Sequence, residues 1–325
     1  MRSRLTTTRD TPAETLLNGV CVDLDELVRL GPASRGLSFR ARQPANSVLR
    51  GRASSRLRGP GLDFEELRAY QPGDDIRAMD WRVTARARTP YVRVYREEKE
   101  RPVLVVVDQR SSMFFGSVRD MKSVTAARAA AIVAHRVVDG GDRIGAVIFS
   151  DDEVSAFQPQ RSHAQLLRIL GALKDKNQAL LTSRERQRNS AGLADALFQA
   201  RKLATHDHLV ILISDLTDAG DDTRKICTEI RRRNDLVLLW VHDPLEASLP
   251  DVGQAVLGDG TMQVQVDTGS SALRARFSED VAARQERAAT LALRYDVPLL
   301  PLTTDEDIVM QLRRLLARTT PARRV

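Results

Sequence analysis

The sequence has little cysteine, little histidine and no long apolar run. Its two cysteines, Cys21 and Cys227, lie far apart without a CxxC or Cys/His cluster, which argues against a disulfide framework or a zinc site and fits a reducing compartment. No segment approaches the roughly 20 apolar residues that span a bilayer, and the N-terminus lacks a signal-peptide core. We therefore expect a cytoplasmic protein with no membrane span.

Aromatic residues are also scarce, at 4% of the chain, whereas arginine is abundant. With 325 residues, 42% of them hydrophobic, the chain can bury a substantial core. The net charge of +7 and the pI near 9.8 come mostly from arginine, whose planar guanidinium suits phosphate and carboxylate contacts. Arginine richness can equally reflect genomic base composition, so no specific nucleic-acid role follows from charge alone.

One stretch organises the rest of the chain. Val103 to Val107 form a short uninterrupted apolar run, typical of a strand buried on both faces, which ends in Asp108 and a hydroxyl-rich loop. In open α/β sheets ligands bind beyond the carboxyl ends of the strands, so Asp108 is placed where binding or chemistry would occur. The simpler alternative is that Asp108 caps the next helix.

Strands and helices alternate after this point, which predicts a mostly parallel sheet with helices on both faces. A further buried strand ends in a second carboxylate, Asp215. The other predicted elements are strands at 143–149, 154–157, 236–241 and near Leu299, helices at 122–138, 162–173, 193–203 and 223–232, a polar loop at 174–189, a hairpin at 254–266, a long helix to Tyr295 and a final helix to Ala317.

We predict five segments along the chain. They are a disordered N-terminus (1–12), an N-terminal extension (13–100), an α/β domain (101–245), its C-terminal continuation (246–317) and a disordered tail (318–325). Within the extension we expect short helices with Asp23 as an N-cap, a flexible basic stretch from Arg35 to Arg58, a tight turn at 71–74 and an edge strand at 91–96.

The extension carries a long motif: Asp63-Phe-Glu-Glu-Leu-Arg68, Tyr70-Gln-Pro-Gly-Asp-Asp-Ile-Arg-Ala-Met-Asp-Trp81, Ala85-Arg86, Tyr91-Val-Arg93 and Glu97-Glu98. Taken alone, paired acids such as Asp74 and Asp75 are more typical of turns and ion pairs than of catalysts. The whole motif, however, resembles the signature of the bacterial domain-of-unknown-function family encoded beside MoxR-type AAA+ ATPases. The resemblance runs from about Gly19 onward, and members carry a von Willebrand factor A-like domain after the signature.

This resemblance implies a von Willebrand A-like (Rossmann-like) α/β fold and a metal-ion-dependent adhesion site. In that site an Asp-x-Ser-x-Ser motif, a threonine and a second aspartate hold Mg²⁺ through oxygen ligands. Asp108, Ser112 and Asp215 match three of these positions, but Arg110 replaces the first serine and Ala191 aligns with the threonine. We expect the three matching residues to converge, with either Mg²⁺ or the Arg110 guanidinium as the compensating cation, and the sequence favours Arg110.

The resemblance further implies a non-enzymatic, chaperone-like adaptor that works with a MoxR-type AAA+ ATPase in the assembly or maturation of client proteins. The signature is predicted to be structural first and partner-facing second, with Tyr70 and Trp81 anchoring the turn to the sheet domain; its residues are Tyr70, Asp74, Asp75, Asp80, Trp81, Arg82 and Arg110. Two alternatives remain. One is a nucleic-acid-binding protein that uses its arginine-rich surface. The other is a metal-dependent hydrolase built on Asp108, Asp215 and the Asp74–Asp75 pair, against which the scattered histidines offer no nearby base.

Overall fold

The computed structural model describes residues 19–37, 62–97, 101–182, 192–247, 251–258, 263–279, 281 and 297–318. The chain divides into two compact units, one formed by Met1–Ala41 together with Arg101–Val325 and the other by Arg42–Glu100. The predicted disordered N-terminus, the tail beyond residue 318, Ala191 and most of the basic stretch at 35–58 lie outside the described residues. Of the helix predicted to reach Tyr295, residues 271–279 and 281 are described, and they are helical.

The described strands and helices, numbered in chain order, have the following bounds. The strands are β1 (Leu62–Ala69), β2 (Tyr91–Glu97), β3 (Val103–Asp108), β4 (Ile144–Phe149), β5 (Val154–Gln160), β6 (Leu209–Ser214), β7 (Asp235–His242), β8 (Gln254–Gly258), β9 (Gln263–Asp267) and β10 (Leu299–Thr303). The helices are α1 (Leu24–Arg29), α2 (Trp81–Ala87), α3 (Lys122–Asp139), α4 (His163–Ala179), α5 (Leu193–Leu203), α6 (Asp221–Arg231), α7 (Pro244–Ala247), α8 (271–279) and α9 (Ile308–Arg318).

A six-stranded sheet with the order β10-β7-β6-β3-β4-β5 forms the centre of the larger unit. All neighbouring strands are parallel except β5, which pairs antiparallel with β4 at one edge. If the six strands are renumbered along the chain, this is the doubly wound order 3-2-1-4-5-6. The chain builds the sheet outward from β3 in one direction and then from β6 in the other, so the strand order reverses between β3 and β6. The predicted fold class, a mostly parallel sheet with helices on both faces, is therefore confirmed.

Alternate residues of β3 face two separate apolar clusters. Val103, Val105 and Val107 pack with residues of α3, α4 and α9 on one side, whereas Leu104 and Val106 pack with α5 and α6 on the other. All six residues of β3, β4 and β6 are buried, which is why these strands are continuous apolar runs rather than alternating ones. The alanines of α3 let this helix lie close against the sheet, so most of its residues are buried.

Helix α4 is longer than predicted. It continues from His163 to Ala179, so the polar loop predicted at 174–189 is wrong over its first residues. The reason is Asn177, a buried side chain in the last turn whose amide donates to Gln109 Oε1 at 2.9 Å. Polar composition at this position is typical of a loop. Here, however, the polar groups of Asn177 find hydrogen-bond partners within the core.

The segment 19–37 belongs to the larger unit and packs on α3 and α4. The Val22 amide donates to Asn177 Oδ1 at 2.9 Å, and Gln178 Nε2 donates to the Val22 carbonyl at 3.0 Å. Asp23 caps α1 as predicted, accepting from the Glu26 amide. The predicted extension at 13–100 therefore includes residues of both units.

The smaller unit contains an antiparallel pair, β1 with β2, and the short helix α2. The predicted strand at 91–96 is present as β2, whereas β1 and α2 were not predicted. Strands β8 and β9 form the predicted hairpin. Among the described helices, none is both long and apolar enough to cross a membrane.

Candidate functional site

The ends of β3 and β6 define the candidate site. Val107 pairs with Ile213 across the two parallel strands, so Asp108 and Asp215 leave the sheet at the same carboxyl edge. This edge lies where the strand order reverses, the position at which open α/β sheets form a crevice. Both acids are buried: the exposed fraction is 0% for Asp108 and 9% for Asp215. Asp108 and Asp215, two of the three residues predicted to converge, therefore lie at the same edge of the sheet.

Arg110 neutralises Asp108. Its Nε and Nη2 donate to the two carboxylate oxygens of Asp108 at 3.0 and 2.8 Å, and its backbone amide donates at 3.1 Å. Ser214 Oγ donates to the same carboxylate at 2.7 Å. Burial raises the pKa of Asp108, while Arg110 and Ser214 oppose that shift by stabilising the carboxylate. The Arg110 side chain is only 3% exposed and lies 5.2 Å from the Phe149 ring centroid.

Lys122 neutralises Asp215, a role the sequence did not reveal. Its Nζ donates to Asp215 Oδ2 at 3.0 Å and to Glu246 Oε1 at 2.6 Å. Burial alone would raise the pKa of Asp215, but the Lys122 ammonium and the hydrogen bonds from Thr217 together outweigh it, and the pKa is lowered. Lys122 begins α3, where the helix dipole disfavours a cation, so these two carboxylates compensate both its burial and its position. Burial would likewise lower the pKa of Lys122, and the two acids raise it instead.

The third predicted ligand, Ser112, lies on the short 3₁₀ turn Ser111–Met113 that follows β3. Its Oγ is buried and has no hydrogen-bond partner among the described residues. The neighbouring Ser111 amide donates to Asp151 Oδ2 at 2.8 Å. The structure therefore joins Asp108 and Asp215 into one charged cluster but adds no bond from Ser112 to either acid.

This set of groups does not fit a Mg²⁺ ion. A hard divalent cation needs about six oxygen ligands with free lone pairs, but each oxygen of Asp108 already accepts two hydrogen bonds. Both oxygens of Asp215 also accept from protein donors. Two buried cations, Arg110 and Lys122, also lie where a divalent ion would be repelled. Within the described parts of the chain, no group of three or more His, Cys, Asp or Glu side chains is arranged to hold a metal. The geometry thus favours Arg110 over Mg²⁺ as the compensating cation for Asp108.

A third buried acid, Asp243, follows β7 and fastens the loop between β3 and α3. It accepts from the Ser117 amide at 2.9 Å and from the Leu245 amide at 2.8 Å, and the hydroxyls of Ser117 and Thr304 also donate to it. Burial would raise the pKa of Asp243, but these donors outweigh it and lower the pKa. The sequence did contain a signal for this residue, since Asp243 closely follows a predicted strand. Asp243 was not singled out because it precedes a proline and therefore resembles a turn residue.

Comparison with known proteins places the chain in a family. The model of "Protein of unknown function DUF58" matches residues 66–288. The chain belongs to the DUF58 family. The uncharacterized protein Mb1516 of Mycobacterium bovis is 31% identical to this chain over 296 residues, or 91% of each protein. The family predicted from the signature is therefore confirmed.

Solved structures similar to this DUF58 chain include the following two. BatB from Bacteroides thetaiotaomicron is 14% identical, with a TM-score of 0.40, over 67% of this chain and 97% of BatB. The VWA domain of SpRpn10 is 8% identical, with a TM-score of 0.37, over 68% of this chain and 95% of that domain.

In the DUF58 signature, the three predicted acids are structural. Asp74 accepts from both terminal nitrogens of Arg68 at 2.8 and 2.7 Å, and this side-chain hydrogen bonding lowers the pKa of Asp74. Asp75 caps the turn at 76–78 by accepting from the Arg77 amide at 2.9 Å. These are the turn and ion-pair roles that the residues alone indicated.

Asp80 is the anchor of the smaller unit. It is 7% exposed, accepts from the Arg82 and Val83 amides at the start of α2, and pairs with Arg93 of β2 at 2.7 Å. The Val83 amide and the Arg93 side chain lower the pKa of Asp80. The helix cap and the strand are thus joined through one carboxylate.

Trp81, the first residue of α2, is 65% exposed and so packs little within the smaller unit. Its predicted role in anchoring the signature to the sheet domain stays a prediction. Tyr70 is half-buried, and its amide donates to the Pro90 carbonyl at 2.8 Å. Arg82 is exposed. The partner-facing role predicted for these residues stays a prediction.

Proposed function

We propose that this protein is a non-enzymatic interaction module, an adaptor that works with a MoxR-type AAA+ ATPase on client proteins. The observation that carries the proposal is the internal neutralisation of the strand-end acids. Arg110 and Lys122 each pair with one buried carboxylate, so neither strand-end acid is free to act on a substrate. This pairing supports a role in recognition of another protein over a role in catalysis.

The same contacts argue against a hydrolase. A general base needs an accessible lone pair and a pKa near neutrality, but Asp108 is fully buried and doubly hydrogen-bonded, while the pKa of Asp215 is lowered. His242 ends β7, but its ring stacks on Trp240 at 4.7 Å, and no described hydrogen bond links it to either acid. The Asp74–Asp75 pair is engaged in a turn.

The loop between β3 and α3 offers a protein-binding feature at this edge. Val118 is 71% exposed, on a loop that Asp243 fastens through Ser117. Gly116 allows the loop to fold tightly, since a Cβ there would lie 2.2 Å from the Asp120 carbonyl oxygen. An apolar side chain held outward by a fixed loop contributes to binding at little entropic cost.

The test is co-purification of the full-length, tagged chain with a MoxR-type AAA+ ATPase from native lysate. Val118→Asp should abolish retention of the ATPase, whereas Leu167→Asp should not, because Leu167 is comparably exposed, at 49%, but lies on α4 rather than at the carboxyl edge. Both variants should keep the wild-type Tm. Failure of the wild-type chain to retain any AAA+ ATPase would overturn the proposal.

Nucleic-acid binding is the second candidate, favoured by one observation. Arg77, Arg82, Arg86 and Arg88 are exposed, and in the described part of the smaller unit none of them has an ion-pair partner. If these arginines serve a protein partner, duplex DNA should bind weakly, without sequence preference, and be released by modest salt. Tight, sequence-selective binding that survives physiological salt would favour this candidate over the adaptor.

A further inference from the structure

The outer end of the Arg110 guanidinium contacts a surface acid. Nε and Nη2 bind the buried Asp108, while Nη1 donates to the carboxylate of Asp218. The Arg110 side chain is 3% exposed, and that of Asp218 is 56% exposed. One face of a buried cation is therefore covered by a carboxylate that itself lies in water.

Asp218 is not needed to balance the buried charge. Inside the site, the carboxylates of Asp108 and Asp215 are matched one for one by Arg110 and Lys122. Asp218 adds a negative charge beyond this balance. Asp108 alone already supplies the negative charge that the buried guanidinium needs.

Asp218 is also less firmly held than the matching outer acid, Glu246. Glu246 binds Lys122 through Oε1 and accepts from the Asp243 amide at 3.1 Å through Oε2, so it is fixed on both sides. The Asp218 side chain has Arg110 as its one hydrogen-bond partner among the described residues. Rotation of the Asp218 side chain would thus break a single contact.

The backbone of the loop that carries Asp218 is held by hydrogen bonds that do not involve the Asp218 side chain. The Leu216 amide donates to Ser214 Oγ at 3.0 Å and the Thr217 amide to Asp215 Oδ1 at 3.1 Å. Leu216 has a positive φ of 57°, which is unfavourable for a branched side chain and is maintained by these bonds. The Asp218 side chain can therefore leave Arg110 without disturbing the buried cluster beneath it.

We propose that Asp218 is a built-in occupant of a carboxylate-binding position on Arg110, and that an aspartate or glutamate side chain of a partner protein takes this position by displacing it. A guanidinium with two donors already fixed on Asp108 is oriented before binding, and it presents its remaining N–H groups to one incoming carboxylate. This inference rests on the proposed function in naming the partner's chemistry: a protein segment with an exposed acid.

The experiment uses the full chain and sodium acetate as the carboxylate probe. Asp218→Ala should show a saturable rise in Tm with acetate, measured against sodium chloride of equal ionic strength. The wild-type chain should bind acetate at least about tenfold more weakly, since its own carboxylate competes. Asp218→Asn, which keeps an acceptor oxygen without the charge, should fall between them.

Asp222→Ala is the matched control, because Asp222 is an exposed acid four residues away that pairs with the exposed Lys225. It should respond to acetate as the wild type does. Equal responses in all four proteins, or no response in Asp218→Ala, would overturn the inference. The titration needs no partner protein. A negative titration would therefore not contradict co-purification of the ATPase, and a failed co-purification would not contradict a positive titration.

Discussion

Lys122→Met tests the internal neutralisation most directly. The substitution keeps the length of the side chain but removes the ammonium that lies 3.0 Å from Asp215 Oδ2. Both side chains are nearly inaccessible, at 3% and 4% exposure, so the variant leaves a buried carboxylate without its cation. Removing one partner of a buried ion pair costs about 3–5 kcal/mol. For a domain of this size that corresponds to a fall in Tm of about 6–20 °C.

The pH dependence has a defined sign. In the wild type the pKa of Asp215 is lowered, so its stabilising contribution is present above the ordinary aspartate pKa and is lost as the pH falls through the lowered value. In Lys122→Met the ammonium is gone, and we expect burial to outweigh the remaining Thr217 hydrogen bonds and to raise the pKa of Asp215. The folded variant then takes up a proton more readily than the unfolded chain, and its deficit in free energy of unfolding should be smaller at pH 5 than at pH 8.

Urea denaturation followed by far-UV circular dichroism at both pH values measures the two effects. Adding Asp215→Asn to Lys122→Met should recover most of the lost stability, because no buried charge remains unpaired. Lys225→Met removes a lysine whose side chain is 73% exposed from a surface pair with Asp222 and should change little. A Lys122→Met variant within about 1 kcal/mol of wild type at pH 8, or with the same deficit at both pH values, would refute the reasoning.

Three further outcomes are expected. Trp81→Ala should change the free energy of unfolding by no more than about 0.5 kcal/mol because the side chain is 65% exposed. Asp80→Ala should instead lower the Tm of the smaller unit, and equal effects of the two substitutions in thermal unfolding would contradict this. Asn177→Ala should cost about 1–3 kcal/mol in urea denaturation, since it leaves buried groups of Val22 and Gln109 unpaired. Millimolar Mg²⁺ should leave the wild-type Tm unchanged but raise that of Arg110→Ser, and saturable Mg²⁺ binding to wild type would show the opposite.

The strands that position the site could be predicted because their signal is local. β3 and β6 are buried on both faces, so each is a continuous apolar run, and an acid at the end of such a run is visible in the sequence. The family resemblance drew attention to Arg110, because an arginine stands where the family motif has a serine. Parallel pairing then placed Asp108 and Asp215 at one edge without any knowledge of their contacts.

The partners of those acids could not be predicted in the same way. Lys122 is a lysine at the start of a helix, and only tertiary packing brings its Nζ to Asp215, 93 residues away. Trp81 was expected to be a partly exposed anchor because aromatics are scarce in this chain, and it directly follows the Asp80 cap with 65% of its surface exposed. β1 was missed since its pairing with β2, rather than its own apolar pattern, makes it a strand.

The position of residues 19–37 has a consequence for biosynthesis. The Val22 amide binds Asn177, a separation of 155 residues, and the smaller unit, Arg42–Glu100, is encoded between them. At about 5–20 residues per second on the ribosome, roughly 8–30 s pass between synthesis of the two partners. Until α4 has been synthesised, Leu27, which is completely buried in the finished protein, lacks the full set of helices that cover it. The nascent N-terminal segment therefore exposes apolar surface until α4 has been made.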